Sequence, residues 1–123
     1  RSALAAAIRV ARAGQPINRI GRAIQGVANT HRLRIIENLG GHGVGRSLHE
    51  EPEHILGFYD SRDRRVLHEG MVIAIEPFLS TKSKTVSEAD DGWTLLGAPG
   101  NLSAQFEHTI LITRGAPIIL TVH

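Results

Sequence analysis
The chain reads as an α+β protein. Two segments with helical apolar spacing come first, several short strand-like runs follow, and a glycine-rich stretch divides them. At 123 residues it is expected to form one domain, residues 1–123. A domain of that size buries about two-thirds of its unfolded surface.

Residues 2–13 set Leu4, Ile8 and Ala11 at i, i+4 and i+7, and Gly14 is a natural stop. Ile17, Ile20, Ile24 and Val27 repeat at i, i+3, i+7 and i+10, which predicts a second amphipathic helix from Pro16 to about His31. Gly21 and Gly26 weaken its propensity, so it relies on packing. Leu33 to Leu39 reads as a strand that ends in a turn at Gly40-Gly41. Residues 55–69, polar around Asp60–Arg65, read as an exposed loop. Met71–Leu79 is expected as one strand with Pro77 at a bulge or edge. Trp93–Leu96 and Ser103–Thr113, flanking Gly97–Gly100, are expected as an antiparallel pair. Pro117–Val122 closes the sheet.

Composition excludes several classes. Apolar residues make up 41% and charged ones 21%, as in globular chains. There is no cysteine, so a metal would have to be held by His, carboxylate, carbonyl or water. No apolar stretch approaches the ~20 residues that span a bilayer, so no membrane partner is expected. A net charge of +2 with mixed signs gives no reason to expect a specific nucleic-acid partner. Met71 is the only methionine, and the chain opens on helical periodicity with no N-cap signal. The expectation is a larger protein that has lost its front portion.

The chemistry concentrates in three places. Gly41-His42-Gly43-Val44-Gly45-Arg46-Ser47-Leu48-His49-Glu50-Glu51-Pro52 sets two histidines in a glycine-rich segment. Glu76 and Glu107 each sit in an apolar run, and an ionised carboxylate is buried only if it is paired, protonated or bound to a metal. One histidine and two glutamates on strand-like segments suggest a divalent metal site with nitrogen and oxygen ligands. By strand alternation Glu107 shares a comparatively polar face with Gln105 and Thr109, while His108 shares the apolar one with Phe106 and Ile110. Taken singly, Glu76 and Glu107 read equally well as structural salt-bridge partners. His108 reads as a hydrogen-bonded core residue, and His31, His54, His68 and His123 as surface residues. Glu50, Glu51 and Glu53 read as a solvated charge run, and Trp93 as core or pocket wall.

Together, Gly41-His42-Gly43-Val44-Gly45 with His49-Glu50-Glu51-Pro52, Ile75-Glu76-Pro77, Asp91-Gly92-Trp93-Thr94 and Ser103-Ala104-Gln105-Phe106-Glu107-His108-Thr109 resemble type I methionine aminopeptidases, in that family's order and spacing. The resemblance covers essentially the whole chain, but only the C-terminal half of the family's catalytic domain. It implies half of a pita-bread fold, with two helices packed on a curved, mainly antiparallel sheet. It also implies two divalent metal ions per complete site (Co, Mn, Fe or Zn). His42 and Glu76 would be ligands of one metal and Glu107 the carboxylate bridging both. His49 would contact the scissile peptide group, Glu76 would double as proton carrier, and Trp93 would wall the methionine pocket. The implied substrates are N-terminal Met peptides and nascent chains, in a cytoplasmic setting. The family's two Asp ligands belong to the other half, and Asp60, Asp63, Asp90 and Asp91 fall in the wrong motif order to replace them. Activity is therefore expected only with the missing half supplied, and the exposed face is expected to take that half or self-associate. Two alternatives are a non-catalytic binding module and a proline-specific peptidase on the same fold.

Overall fold
The computed structural model describes residues 1–122, so His123, expected at the surface, lies outside the described residues. The elements are α1 (Ser2–Val10), α2 (Asn18–Thr30), β1 (Arg34–Ile35), β2 (Gly40–Gly43), β3 (Glu50–Leu56), β4 (Val72–Ile75), β5 (Phe78–Ser80), β6 (Ser87–Glu88), β7 (Leu95–Leu96), β8 (Ser103–Gln105), β9 (His108–Leu111) and β10 (Ile118–Ile119). The strands form a five-stranded sheet β10-β9-β4-β2-β3, a three-stranded sheet β1-β5-β8 and the pair β6-β7, all antiparallel. The α+β class is thus the observed one. Leu4, Ala7 and Ala11 with Ile17, Ile20 and Ile24 pack against Ile55, Ile73, Ile75, Ile110 and Ile112 in one core.

Both helices fall where the periodicity sets them. The first is shorter than 2–13, because the donors just beyond it go elsewhere: Ala13 N–H to Thr113 O at 2.9 Å and Gly14 N–H to Leu67 O at 2.8 Å. Residues 55–69 are not simply a loop. Ile55 and Leu56 complete β3, and Leu67 is fully buried where residues 14–17 zip against 65–67. The polar residues between are held locally, as Arg62 pairs with Asp60 at 3.0 Å and Arg65 with Asp63 at 2.8 Å.

Three further expectations are corrected. Gly40-Gly41 is not a turn but the start of β2, whose glycines let it lie tightly between β3 and β4. Trp93–Leu96 does not pair with Ser103–Thr113; β7 pairs with β6 instead. Asn101 Oδ1 accepts the Lys82 and Ser83 N–H groups at 2.9 Å, so the chain closes back on β5 at that point. Finally, each of the two long expected strands is broken in two. β4 gives way to β5 across Glu76-Pro77, and β8 to β9 across Phe106-Glu107. Proline has no N–H for the ladder, so pairing lapses there. The pairing register nonetheless survives the gap: Ile75 faces His108 on one side and Phe78 faces Gln105 on the other. Carried through, it sets Glu76 opposite Glu107.

Candidate metal centre
The Gly-His-Gly segment occupies the middle of the larger sheet. A Cβ on Gly41 would run into the Ala74 carbonyl and one on Gly43 into the Glu51 carbonyl, so only glycine permits this spacing. Between them His42 is 9% exposed. Its Nδ1 lies 2.8 Å from Gly43 O, and a carbonyl can only accept, so Nδ1 carries the proton. The Nε2 lone pair is thereby directed elsewhere, 3.3 Å from Glu76 Oε1.

Glu76 stands at the sheet gap. Burial, and then the nearby charge of Glu107, hold its carboxyl above the usual range; His42 and the Gln105 amide oppose that rise. Gln105 Nε2 bridges the two carboxylates, 3.4 Å from Glu76 Oε2 and 3.2 Å from Glu107 Oε2. A neutral imidazole lone pair facing a carboxylate, beside a second carboxylate, is stable only with positive charge between them. A proton meets that need, and so does a divalent cation, which prefers this set of nitrogen and oxygen donors. Among the described residues no three His, Asp or Glu side chains stand close enough to enclose an ion. The set is a close His42–Glu76 pair with Glu107 across the Gln105 bridge.

His49 joins the same place. Its ring centroid is 4.0 Å from that of His42, and both rings line an open cleft of about 400 Å³ with Glu53, His54, Glu76 and Phe78. Glu50 is more than a solvated charge, because its Oε2 accepts the Ser47 N–H at 3.1 Å and closes the turn leading to His49. Trp93 is elsewhere: 88% exposed, on a turn in which Asp91 Oδ1 accepts the Trp93 and Thr94 N–H groups at 2.9 and 2.8 Å. His108 is half-buried and lies 2.8 Å from Thr121 Oγ1. His31, His54 and His68 are exposed. Sequence reasoning missed Gln105 as a working residue. Its place on the Glu107 face was the available signal, but a neutral amide does not announce itself as part of an ionic site.

Residues 1–114 match the model of metallopeptidase family M24. The chain is 50% identical over 111 residues to methionine aminopeptidase 2 of Bacillus subtilis, covering 90% of this chain and 45% of that protein. It is 39% identical over 115 residues to methionine aminopeptidase of Staphylococcus epidermidis, covering 94% and 46%. Methionine aminopeptidase from Thermotoga maritima superposes with a TM-score of 0.91 at 37% identity, over 98% of this chain and 48% of that one. Prolidase from Pyrococcus furiosus superposes at 0.67 with 26% identity, over 98% and 30%. The fold is that of the pita-bread metallopeptidases, and the chain belongs to metallopeptidase family M24. It spans about half the length of the curated relatives it matches.

Proposed function
We propose that this chain supplies half of an active site for metal-dependent removal of N-terminal methionine from nascent proteins in the cytoplasm. The observation that carries the reading is the meeting of His42, Glu76, Gln105 and Glu107 where the two sheets part. In the reading, His42 Nε2, Glu76 and Glu107 hold divalent metal, two ions per complete site, with the remaining carboxylates coming from a second polypeptide segment. Such an ion, when bound, lowers the pKa of coordinated water so that hydroxide is available near neutral pH. The chain's own groups do the rest. Glu76, whose carboxyl burial holds above the usual range, accepts a proton from the nucleophile as its carboxylate and returns it to the leaving amine. The His49 imidazole donates to the oxyanion that develops on the scissile carbonyl. Gln105 keeps the two carboxylates apart and oriented. Trp93, away from this cleft on the exposed Asp91 turn, would wall the methionine side chain only in the completed site, with the second segment in place.

The stronger likeness to methionine aminopeptidases than to prolidase, 37–50% against 26% identity, supports methionine over proline specificity. The alternative of a pure binding module gives no reason for two carboxylates to face each other. The second segment is proposed to sit on the face around Phe106, Glu107 and Ile119, where an open groove of about 570 Å³ runs along α1.

Calorimetric titration with Mn²⁺ or Co²⁺ tests the reading, together with release of Met from Met-Ala-Ser in the presence of the N-terminal half of a relative. Binding that weakens at least tenfold in His42→Ala and Glu107→Ala, with turnover only in the reconstituted mixture, is expected. Unchanged binding in both variants, or turnover indifferent to chelator, refutes it.

A further inference from the structure
The net charge of +2 conceals a sharp partition. Residues 1–36 contain seven arginines and neither Asp nor Glu, while all twelve acidic residues lie from Glu37 onward with the other seven basic ones. The helical part therefore carries +7 and the remainder −5. All seven of these arginines are exposed. Among the described residues, the arginines in ion pairs are Arg62, Arg65 and Arg114, all outside this region.

α2 arranges this charge in a line. Its buried side is Ile20, Gly21, Ile24 and Ala28, and at 100° per residue Arg19, Arg22, Gly26 and Asn29 fall on the outer side. The partners that hold these arginines are neutral. Arg19 donates to Gln15 Oε1, and the Arg22 guanidinium lies 4.1 Å over the Tyr59 ring. A Cβ on Gly26 would meet nothing within 4 Å, so the helix surface there is open to close approach. From Arg22 to Asn29 the line runs about 10 Å along the axis. It then opens into a concavity of about 360 Å³ lined by Asn29, Arg32, Leu33 and Arg34.

We propose that the outer face of α2, with the Arg32–Arg34 concavity, binds the phosphodiester backbone of nucleic acid without reading its sequence. Guanidinium forks held by neutral partners keep their donors and charge for phosphate oxygens. Nothing here offers base-edge recognition, in keeping with the expected lack of a specific nucleic-acid partner. A membrane surface is disfavoured because an interfacial helix needs exposed large apolar residues. The first such residue in the chain is Leu48, beyond both helices. The face lies apart from the His42–Glu76 site, so the inference stands independently of the aminopeptidase reading.

Fluorescence anisotropy of the whole chain with labelled duplex RNA and duplex DNA, over a series of salt concentrations, tests it, with phosphatidylglycerol vesicles as a separate arm. About four phosphate contacts predict that log affinity falls with log salt at a slope of about −3 to −4. Arg19→Gln/Arg22→Gln should weaken binding about tenfold at low salt and flatten that slope by about 2. Arg32→Gln/Arg34→Gln should do likewise, while Arg62→Gln/Arg114→Gln leaves the slope unchanged. Circular dichroism should be the same for all, since these side chains lie outside the core. Binding to either duplex with this pattern supports the proposal. Absent duplex binding, an equal loss in the Arg62/Arg114 control, or binding to vesicles alone overturns it.

Discussion
His42 can sit beside Glu76 because the residues flanking it have no side chain. Adding one methyl at Gly43 forces it into the Glu51 backbone, which cannot swing aside as a flexible side chain would. Gly43→Ala should therefore cost about 3 kcal/mol, the upper end of ordinary overpacking, and lower the melting temperature by roughly 10 °C or more. A melt within 2–3 °C of the parent (roughly the effect of half a kcal/mol) would show that β2 has room. Asp63 makes a second single-residue case. The hydrogen bond from Arg65 holds its carboxyl below the usual value of 3.8, outweighing partial burial. A carboxylate with a lowered folded pKa adds stability above its unfolded value, and that stability is lost as pH falls through the folded one. Asp63→Asn should thus destabilise the protein at pH 7 and flatten the decline of stability below about pH 4. Chemical denaturation at pH 7 and pH 3 measures both, and parallel losses at the two pH values would contradict the linkage.

At the scale of elements, the core depends on a few isoleucines shared by helix and sheet. Ile110 is fully buried on β9, three residues from Glu107 at the strand break. Ile110→Ala should cost about 2–5 kcal/mol, read as a denaturant midpoint shift at constant slope. A loss under 1 kcal/mol (below the range for such a truncation) would mean that the cavity collapses. The helices were legible in the sequence because their 3.6-residue spacing is written by residues that reach the core directly. The strands were less so. Leu67 is buried amid Arg64, Arg65 and His68 because residues 14–17 lie against it, and local polarity carries no trace of that distant pairing. The break at Glu76-Pro77 was signalled by the proline, whereas the one at Phe106-Glu107 was hidden for the same reason: apolar alternation continues through it, and only partner choice changes. Of the candidate site, His42 and Glu76 could be found by their apolar settings; Glu107, expected in a buried run, is instead exposed, because the sheet parts between β8 and β9. Gln105 and the turn-closing part of Glu50 depend on geometry that residue type does not reveal.

At the scale of the molecule, one face is finished and another is not. The β3 edge is blunted by Glu51, Pro52 and Glu53, whereas β10 ends beside exposed Ile118, Leu120 and Val122. Exposed Phe106 lines the groove along α1 near that edge. Apolar surface gathered in this way marks a contact face. The chain alone should show a mass that rises with concentration by sedimentation, and Ile118→Lys/Leu120→Lys should abolish the rise. A monomer at every concentration would remove the basis for a contact there.

The unbroken register across the sheet gap also limits how this chain can vary in length. The excursion from Thr81 to Leu102 lies beyond the last β5–β8 pair, Ser80 with Ser103; its base is tied to Glu37 and Asn38 through Lys84 and Val86, but its exposed tip, Asp90–Gly100, can change length without shifting that register. A single residue inserted between Ile75 and Phe78, or between Gln105 and His108, would slip one carboxylate past the other and turn it to the opposite face. Two short spans of backbone thus act as a fixed gauge, and tolerance to insertion should be greatest within Asp90–Gly100 and lowest at these two spans.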